Sequence, residues 1–361
     1  MHEARAAAET AAVTDAPIGA PTWDLGDLFA GPDDPAVEQL LAAADTEAGA
    51  LADAHKGRLD RLDGPGLAGL IAAYEAIEER LGKVMAFASL LHAGQRDDVA
   101  IGRFFAGVQE RVTTIGTQLL FVTLELNKLE DAHLAARLAA SPELARWRPW
   151  LDQVRAFKPH QLDDEIERVL HEKQVTGRSA WVRLFDETMA GLRFPLDGAE
   201  LSAQEIFDRL SAKDRAVREA AAGSVAGVLA RNIKLFARIT NTLVKDKQIE
   251  DGWRKFARPI SSRNLANQVE DEVVDALITA VKDAYPRLSH RYYALKARWM
   301  GLDKLEYWDR NAPLPEDADR RRSWEEAKVV VLDSYRRFSP QLAGILDEFF
   351  ERRWIDAEVR P

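Results

Sequence analysis

Imidazoles, carboxylates and hydroxyls are the side chains that could do chemistry here, because the 361-residue chain has no cysteine. The seven histidines are His2, His55, His92, His133, His160, His171 and His290. A helical metal site needs two imidazoles one turn apart, as H-E-x-x-H supplies. No histidine in this chain has a second one four residues on, and H-E-x-x-H is absent. His171-Glu172-Lys173-Gln174-Val175 comes nearest, but Val175 stands where the second ligand belongs. One imidazole cannot hold zinc against water without further ligands, so His171 reads as a structural or surface residue. The site residues expected within the chain are therefore none: no catalytic, cofactor-binding or metal-ligating residue.

The carboxylates give no better start. Glu75, Glu78 and Glu79 with Arg80 read as a solvated helix face. Asp163-Asp164-Glu165 and Glu270-Asp271-Glu272 sit at helix starts, where negative charge meets free amides and the dipole. There is no G-x-S-x-G elbow and no Gly-rich phosphate loop ending in Lys-Ser or Lys-Thr. Trp147, Trp150, Trp181, Trp253, Trp299, Trp308, Trp324 and Trp354 lie among many arginines. Such interleaving can bind single-stranded nucleic acid. Core packing with guanidinium groups reaching outward is the favoured reading. The segment Tyr307-Trp308-Asp309-Arg310-Asn311-Ala312-Pro313-Leu314-Pro315 is the most unusual local sequence. Asp309 and Arg310 are expected to pair with separate helices and pin a crossover; the functional alternative is one wall of a substrate channel.

Lys plus Arg is 49 and Asp plus Glu is 59, giving a net charge of −10. That balance argues against phosphate-backbone binding and against an anionic membrane surface. No run approaches 18 apolar residues, so no membrane span is expected. The expectations are no nucleic acid, no membrane and, with no cysteine, a cytoplasmic location. Residues 1–21 carry Glu3, Glu9 and Asp15 and lack the basic start and apolar core of a secretory signal. They read as a flexible leader.

From Trp23 onward the dominant period is helical. Leu67, Leu70, Ile71, Tyr74, Ile77, Leu81, Val84, Met85 and Leu91 make one stripe, and Phe104 through Leu126 repeat it. Gly94–Asp98 is a polar turn, so these two helices should be antiparallel neighbours. Ser141-Pro142 starts a short helix, Lys158-Pro159-His160 breaks the chain, and Asp163 to Lys173 is helical. Gly191 to Leu201 reads as a small hairpin around Asp197-Gly198. Ser202-Ala203-Gln204-Glu205 restarts a helix with a capping box. Helical pattern fills Glu205 to Asp251, a loop follows at 257–262, and a long helix from about Asn267 to Trp299 is interrupted at Tyr285-Pro286. Gly301 suits its end. Arg310 to Asp319 is an extended crossing, followed by two more helices. The fold class expected is all-α, a multi-helix bundle-like body with one hairpin near 191–201. The expected domains are 22–190 and 191–361.

Several stretches together resemble the oligoendopeptidase F group of thimet-oligopeptidase-like zinc metallopeptidases. They are Trp23–Phe29, Ala180–Glu187, the hairpin Leu192–Leu201, Trp253–Phe256 with Ser262–Asn267, His290–Lys296 through Gly301–Leu305 to Asp309–Leu314, and Phe338–Pro340 through Trp354–Asp356. The resemblance implies the N-terminal part of a zincin-like oligopeptidase: a helical body split by a deep channel, in which zinc-activated water cuts short peptides. Residues 22–190 would be wall, and 191–361 the first, incomplete part of the catalytic domain. The family's metal ligands and general base belong to H-E-x-x-H and a later Glu, none of which maps onto this sequence. Zinc is implied for the full-length family member, and none is expected on this chain. Short peptides are the implied partners, together with a missing C-terminal catalytic segment. The chain alone is expected to be inactive. The alternatives are a non-catalytic helical peptide-binding or interaction module, or one half of a split peptidase. In each case apolar faces that would pack against the metal-binding helices would meet water.

Overall fold

The computed structural model describes residues 20–96, 98–314 and 322–358. The leader through residue 19, Asp97 of the polar turn and residues 315–319 of the expected crossing lie outside them. The chain forms two compact units, one from Leu28 to Pro315 and one joining residues before Leu28 to those after Pro315.

The larger unit begins with three long helices, α1 (Pro35–His55), α2 (Gly64–Gly94) and α3 (Val99–Lys128). Each starts on an aspartate whose carboxylate accepts from a free first-turn amide: Asp34 from Ala36, Asp63 from Gly66, Asp98 from Ala100 and Ile101. Their periodic apolar positions are buried together, including Leu41, Leu51, Leu67, Ile71, Leu81, Val84, Ile115, Leu119 and Leu126. Burying each such side chain is worth about 1.5–3 kcal/mol. The stripes from 67 to 126 thus meet each other, as their spacing requires.

Four short helices follow: α4 (Asp131–Ala140), α5 (Pro142–Ala145), α6 (Arg148–Ala156) and, after a 3-10 turn over Lys158–His160, α7 (Asp164–Lys173). Ser141 Oγ caps α5 by accepting from Leu144 N. Gly64 is where α2 touches this layer. A Cβ there would lie 2.6 Å from Ser141 Cβ and 2.9 Å from the Arg137 carbonyl oxygen.

Helix α8 (Arg178–Gly191) leads into β1 (Phe194–Leu196) and β2 (Ala199–Leu201), paired antiparallel with Phe194 opposite Leu201. Asp197 (φ 50°) and Gly198 (φ 83°) both take positive φ, the requirement of a tight hairpin turn. Phe194 buries against Ile206, Ala221 and Val228 in a second small core. Ser202 and Glu205 form the expected capping box at the start of α9 (Ala203–Arg209).

The helical pattern of 205–251 is carried by three helices. Helix α9 ends before a new Asp214 cap, then α10 (Arg215–Arg231) and α11 (Ile233–Trp253) meet at Asn232. The stretch 257–262, expected as loop, enters α12 (Ser261–Ala266) at its last two residues. The carboxylate of Asp271 accepts from Ser261 Oγ at 2.5 Å and Asn264 Nδ2 at 2.7 Å, which ties α12 to the next helix. The interrupted long helix becomes α13 (Asp271–Ala284) and α14 (Ser289–Trp299).

The smaller unit pairs α15 (Trp324–Phe338) with α16 (Pro340–Glu351). Residues 21–27 are strapped to the chain after α16. Asp24 N donates to Arg353 O at 2.7 Å, Ala357 N to Pro21 O at 2.9 Å, and Trp354 Nε1 to Asp27 Oδ2 at 2.9 Å. Two stretches read separately in the sequence, one near each end of the chain, are therefore one structure.

The tryptophans correct a sequence expectation. None of the nine is buried; Trp253 and Trp299 are about half exposed. Instead, guanidinium groups lie over indole faces, Arg146 on Trp147, Arg215 on Trp308 and Arg352 on Trp354. An indole needs a partner for its N–H, which favours a rim position over a small apolar core.

Candidate functional site

The unusual segment around Tyr307 is built by α14, the loop behind it and α10. Helix α14 ends at Trp299, and Gly301 beyond it, with a φ of +69°, gives the left-handed exit. Leu302 N donates to Ala297 O at 2.9 Å and Gly301 N to Arg298 O at 3.1 Å, closing the helix with a paired cap. The chain then turns through a 3-10 element, Tyr307–Asp309, and its Asp309 has no solvent contact.

Asp309 is held from α10. Arg215 reaches it through Nε (3.1 and 3.2 Å) and Nη2 (3.0 Å), and Arg218 through Nη2 (2.9 Å). Glu306 N adds a fourth donor at 3.0 Å. Arg218 is itself buried, and its remaining donors go to the carbonyl oxygens of Trp308, Ala212 and Lys213. Burial pushes the Asp309 carboxyl up, but the hydrogen bonds from Arg215 and Arg218 outweigh it and hold the group below its ordinary range. The ion pair is thus desolvated but richly satisfied, the condition under which such a pair is tolerable. Lys296 of α14 is also buried, and its Nζ donates to Arg310 O at 2.8 Å.

The expected pinning is present with one change. Asp309 takes two arginines from a single helix, and Arg310 is held by its backbone carbonyl rather than its side chain. The Arg310 side chain is free to line a cavity of about 390 Å³ with Tyr293, Ala297, Leu305 and Tyr307. Tyr307 stands 65% exposed, with its ring edge-on to Trp308 at 4.7 Å. An aromatic and guanidinium wall of this kind can hold an extended chain by apolar and hydrogen-bonding contact, and Asp303, Lys304 and Glu306 line the same cavity. Arg215 and Arg218 went unread in the sequence. Their signal was two arginines three apart at the start of an otherwise alanine-rich helix.

His171 lies elsewhere. Its Nε2 is buried without a hydrogen bond and stands 3.3 Å from where a Cβ on Gly116 of α3 would be. Glu172 pairs with Arg168 at 3.0 Å on the same helix. The two side chains therefore do not act together. His160 stacks on Phe256 with centroids 3.9 Å apart, and its Nδ1–H donates to Arg254 O at 2.7 Å. Arg254 makes a two-pronged ion pair with Glu167 at 2.7 and 2.9 Å. Among the described residues no three His, Asp or Glu side chains are grouped to hold a metal ion. No helix among them is long and apolar enough to cross a membrane.

Later helices carry apolar faces without cover. On α13, Val273, Leu277, Ile278 and Val281 follow helical spacing, and none is buried. On α15, Val329, Val330 and Val331 are all exposed.

A family model described as Oligopeptidase F matches residues 125–194. The chain is 26% identical over 355 residues to oligopeptidase PepF of Bacillus subtilis (strain 168), covering 93% of this chain and 50% of that protein. It is 24% identical over 294 residues to group B oligopeptidase PepB of Streptococcus agalactiae serotype III (strain NEM316), covering 78% and 48%. Its fold is similar to that of oligoendopeptidase-F from Enterococcus faecium, with a TM-score of 0.67 at 21% identity, over 77% of this chain and 56% of that one. The chain spans about half the length of the curated relatives it matches.

Proposed function

Because the chain belongs to the oligoendopeptidase F family, we propose that it is the wall-forming part of a zinc-dependent peptidase that hydrolyses short peptides in a channel. The observation that carries this reading is the Asp309 junction. Two arginines and a buried lysine pin this loop beside an open cavity lined by Tyr293, Tyr307 and Arg310. Rigid walls orient a bound chain without spending binding energy on ordering themselves. The cytoplasm is the compartment proposed for it.

The zinc that the family uses does not fit the residues present. His171 is wedged against α3, Glu172 is paired with Arg168, and the sequence holds no second imidazole one turn from another. Metal ligands and general base are then residues other than these, and no hydrolytic step falls on this chain's side chains. The uncovered faces of α13 and α15 support the same division, with further polypeptide lying against them. An unpartnered apolar helix face is costly in water, at about 25 cal/mol per Å². This also favours the split-peptidase arrangement over a self-sufficient interaction module.

The test is turnover of an internally quenched fluorogenic oligopeptide by the homogeneous 361-residue chain with added zinc. No cleavage above buffer is expected. Chelator-sensitive cleavage would overturn the proposal.

A further inference from the structure

A second cavity, of about 470 Å³, lies between α2, α3 and α8 of the larger unit. This volume falls in the range of small-molecule sites. Its floor is a layered stack. The His92 ring lies on Phe105 with centroids 4.8 Å apart and planes 3° from parallel, and the Arg183 guanidinium covers Phe105 at 5.8 Å. Arg183 is also fixed by donating to the Gln109 side-chain carbonyl. The floor is therefore flat, aromatic and held in place before any ligand arrives.

The charges around that floor are different. Arg96, Arg178, Asp186 and Glu187 line the cavity, and among the described residues none of the four has a hydrogen-bond or ion-pair partner. All four are exposed, so a ligand can reach them without displacing a protein partner, whereas the less accessible Glu167, Arg254 and Asp309 are paired. The unpaired charges are also sorted by sign along α8. Arg178 is in its first turn, where the helix dipole adds positive potential; Asp186 and Glu187 lie in its C-terminal half. Eight residues separate Arg178 from Asp186, a rise of about 12 Å. An extended peptide spans about 3.3–3.6 Å per residue, so this distance matches three to four residues.

We propose that this cavity binds a free tri- or tetrapeptide by both of its termini. The carboxylate meets Arg178, the ammonium group meets Asp186 and Glu187, and a central side chain lies on the His92–Phe105 stack. The site itself stands on the cavity's own charges. That its occupant is a substrate or product of the same protein rests on the function proposed above.

Binding by calorimetry in the presence of chelator tests this without turnover. The probes are Ala-Phe-Ala, its N-acetyl form and its C-amide. The unblocked tripeptide is expected to bind saturably, and each blocked form about tenfold more weakly or worse, the loss of about 1.4 kcal/mol. Arg178→Ala should abolish the difference between free acid and amide, while the double variant Asp186→Asn, Glu187→Gln should abolish the difference between free and acetylated amine. Equal binding of blocked and free forms to the unaltered chain would overturn the proposal, as would no saturation by 10 mM (about 2.7 kcal/mol of affinity). Retention of full terminus discrimination in the variants would do the same. A failure to cleave peptides leaves all three outcomes readable.

Discussion

Arg218 is the residue on which the candidate wall depends most. It is fully buried, and it donates to one carboxylate and three carbonyl oxygens. Arg218→Met removes the cation but leaves Asp309 buried with only Arg215 and one amide. The expected cost is about 3–5 kcal/mol, the usual penalty for breaking one side of a buried pair. A shift of that size in the urea midpoint at unchanged slope would bear it out; a shift below about 1 kcal/mol would show the pair to be dispensable. The same junction and the separate Glu167–Arg254 pair set a pH dependence. Asp309 and Glu167 are both shifted upward by burial and further downward by their arginines, for a net lowering. A carboxyl with a lower folded than unfolded pKa is protonated first in the unfolded chain as pH falls. Its stabilising effect is present above the ordinary carboxylate range, near pH 4, and is lost as pH drops through the folded value. Stability should therefore fall steeply below pH 4, and Arg218→Met should flatten that fall. The partners of Asp309 were not legible in the sequence because 91 residues separate it from Arg218. Charge alone did not say which of many arginines would be buried.

Local chemistry was the most legible part at the scale of elements. Asp197-Gly198, Ser202 with Glu205 and Gly301 each announce their turn or cap within a few residues, and each does so in the structure. The breaks inside 205–251 were harder, because Asp214 and Asn232 interrupt a continuous helical composition without glycine or proline. Helix contacts were not legible at all. Gly64 looks like an ordinary glycine in a first turn, yet it is the point where α2 meets Ser141 and the Arg137 carbonyl. Gly64→Ala should cost about 1–3 kcal/mol, as overpacking against backbone does. Gly69→Ala, with nothing within 4 Å, should be neutral or stabilising. Equal thermal midpoints for the two variants would contradict this contact. At the hairpin, Gly198→Ala places a Cβ at positive φ and should cost about 1–2 kcal/mol.

The whole molecule divides by burial. The described residues of α1 to α3 bury their periodic stripes, while on α11 and α13 the apolar faces remain open, Ile239 being the one buried residue of α11 and α13 having none. Periodicity reported the amphipathic faces of these later helices but could not report whether anything covers them. Open stripes of this kind should bind a hydrophobic dye in the native state. Leu277→Glu on α13 should lower that binding without lowering the unfolding midpoint, since Leu277 is 63% exposed. An unchanged dye signal would mean that this face is not the one left open.

If these residues build walls and leave the metal to others, as proposed, zinc stoichiometry shows it most directly. Elemental analysis of the purified chain, after zinc loading and exhaustive dialysis, should give far less than one zinc per chain. One tightly held zinc per chain, released only by a strong chelator, would contradict it.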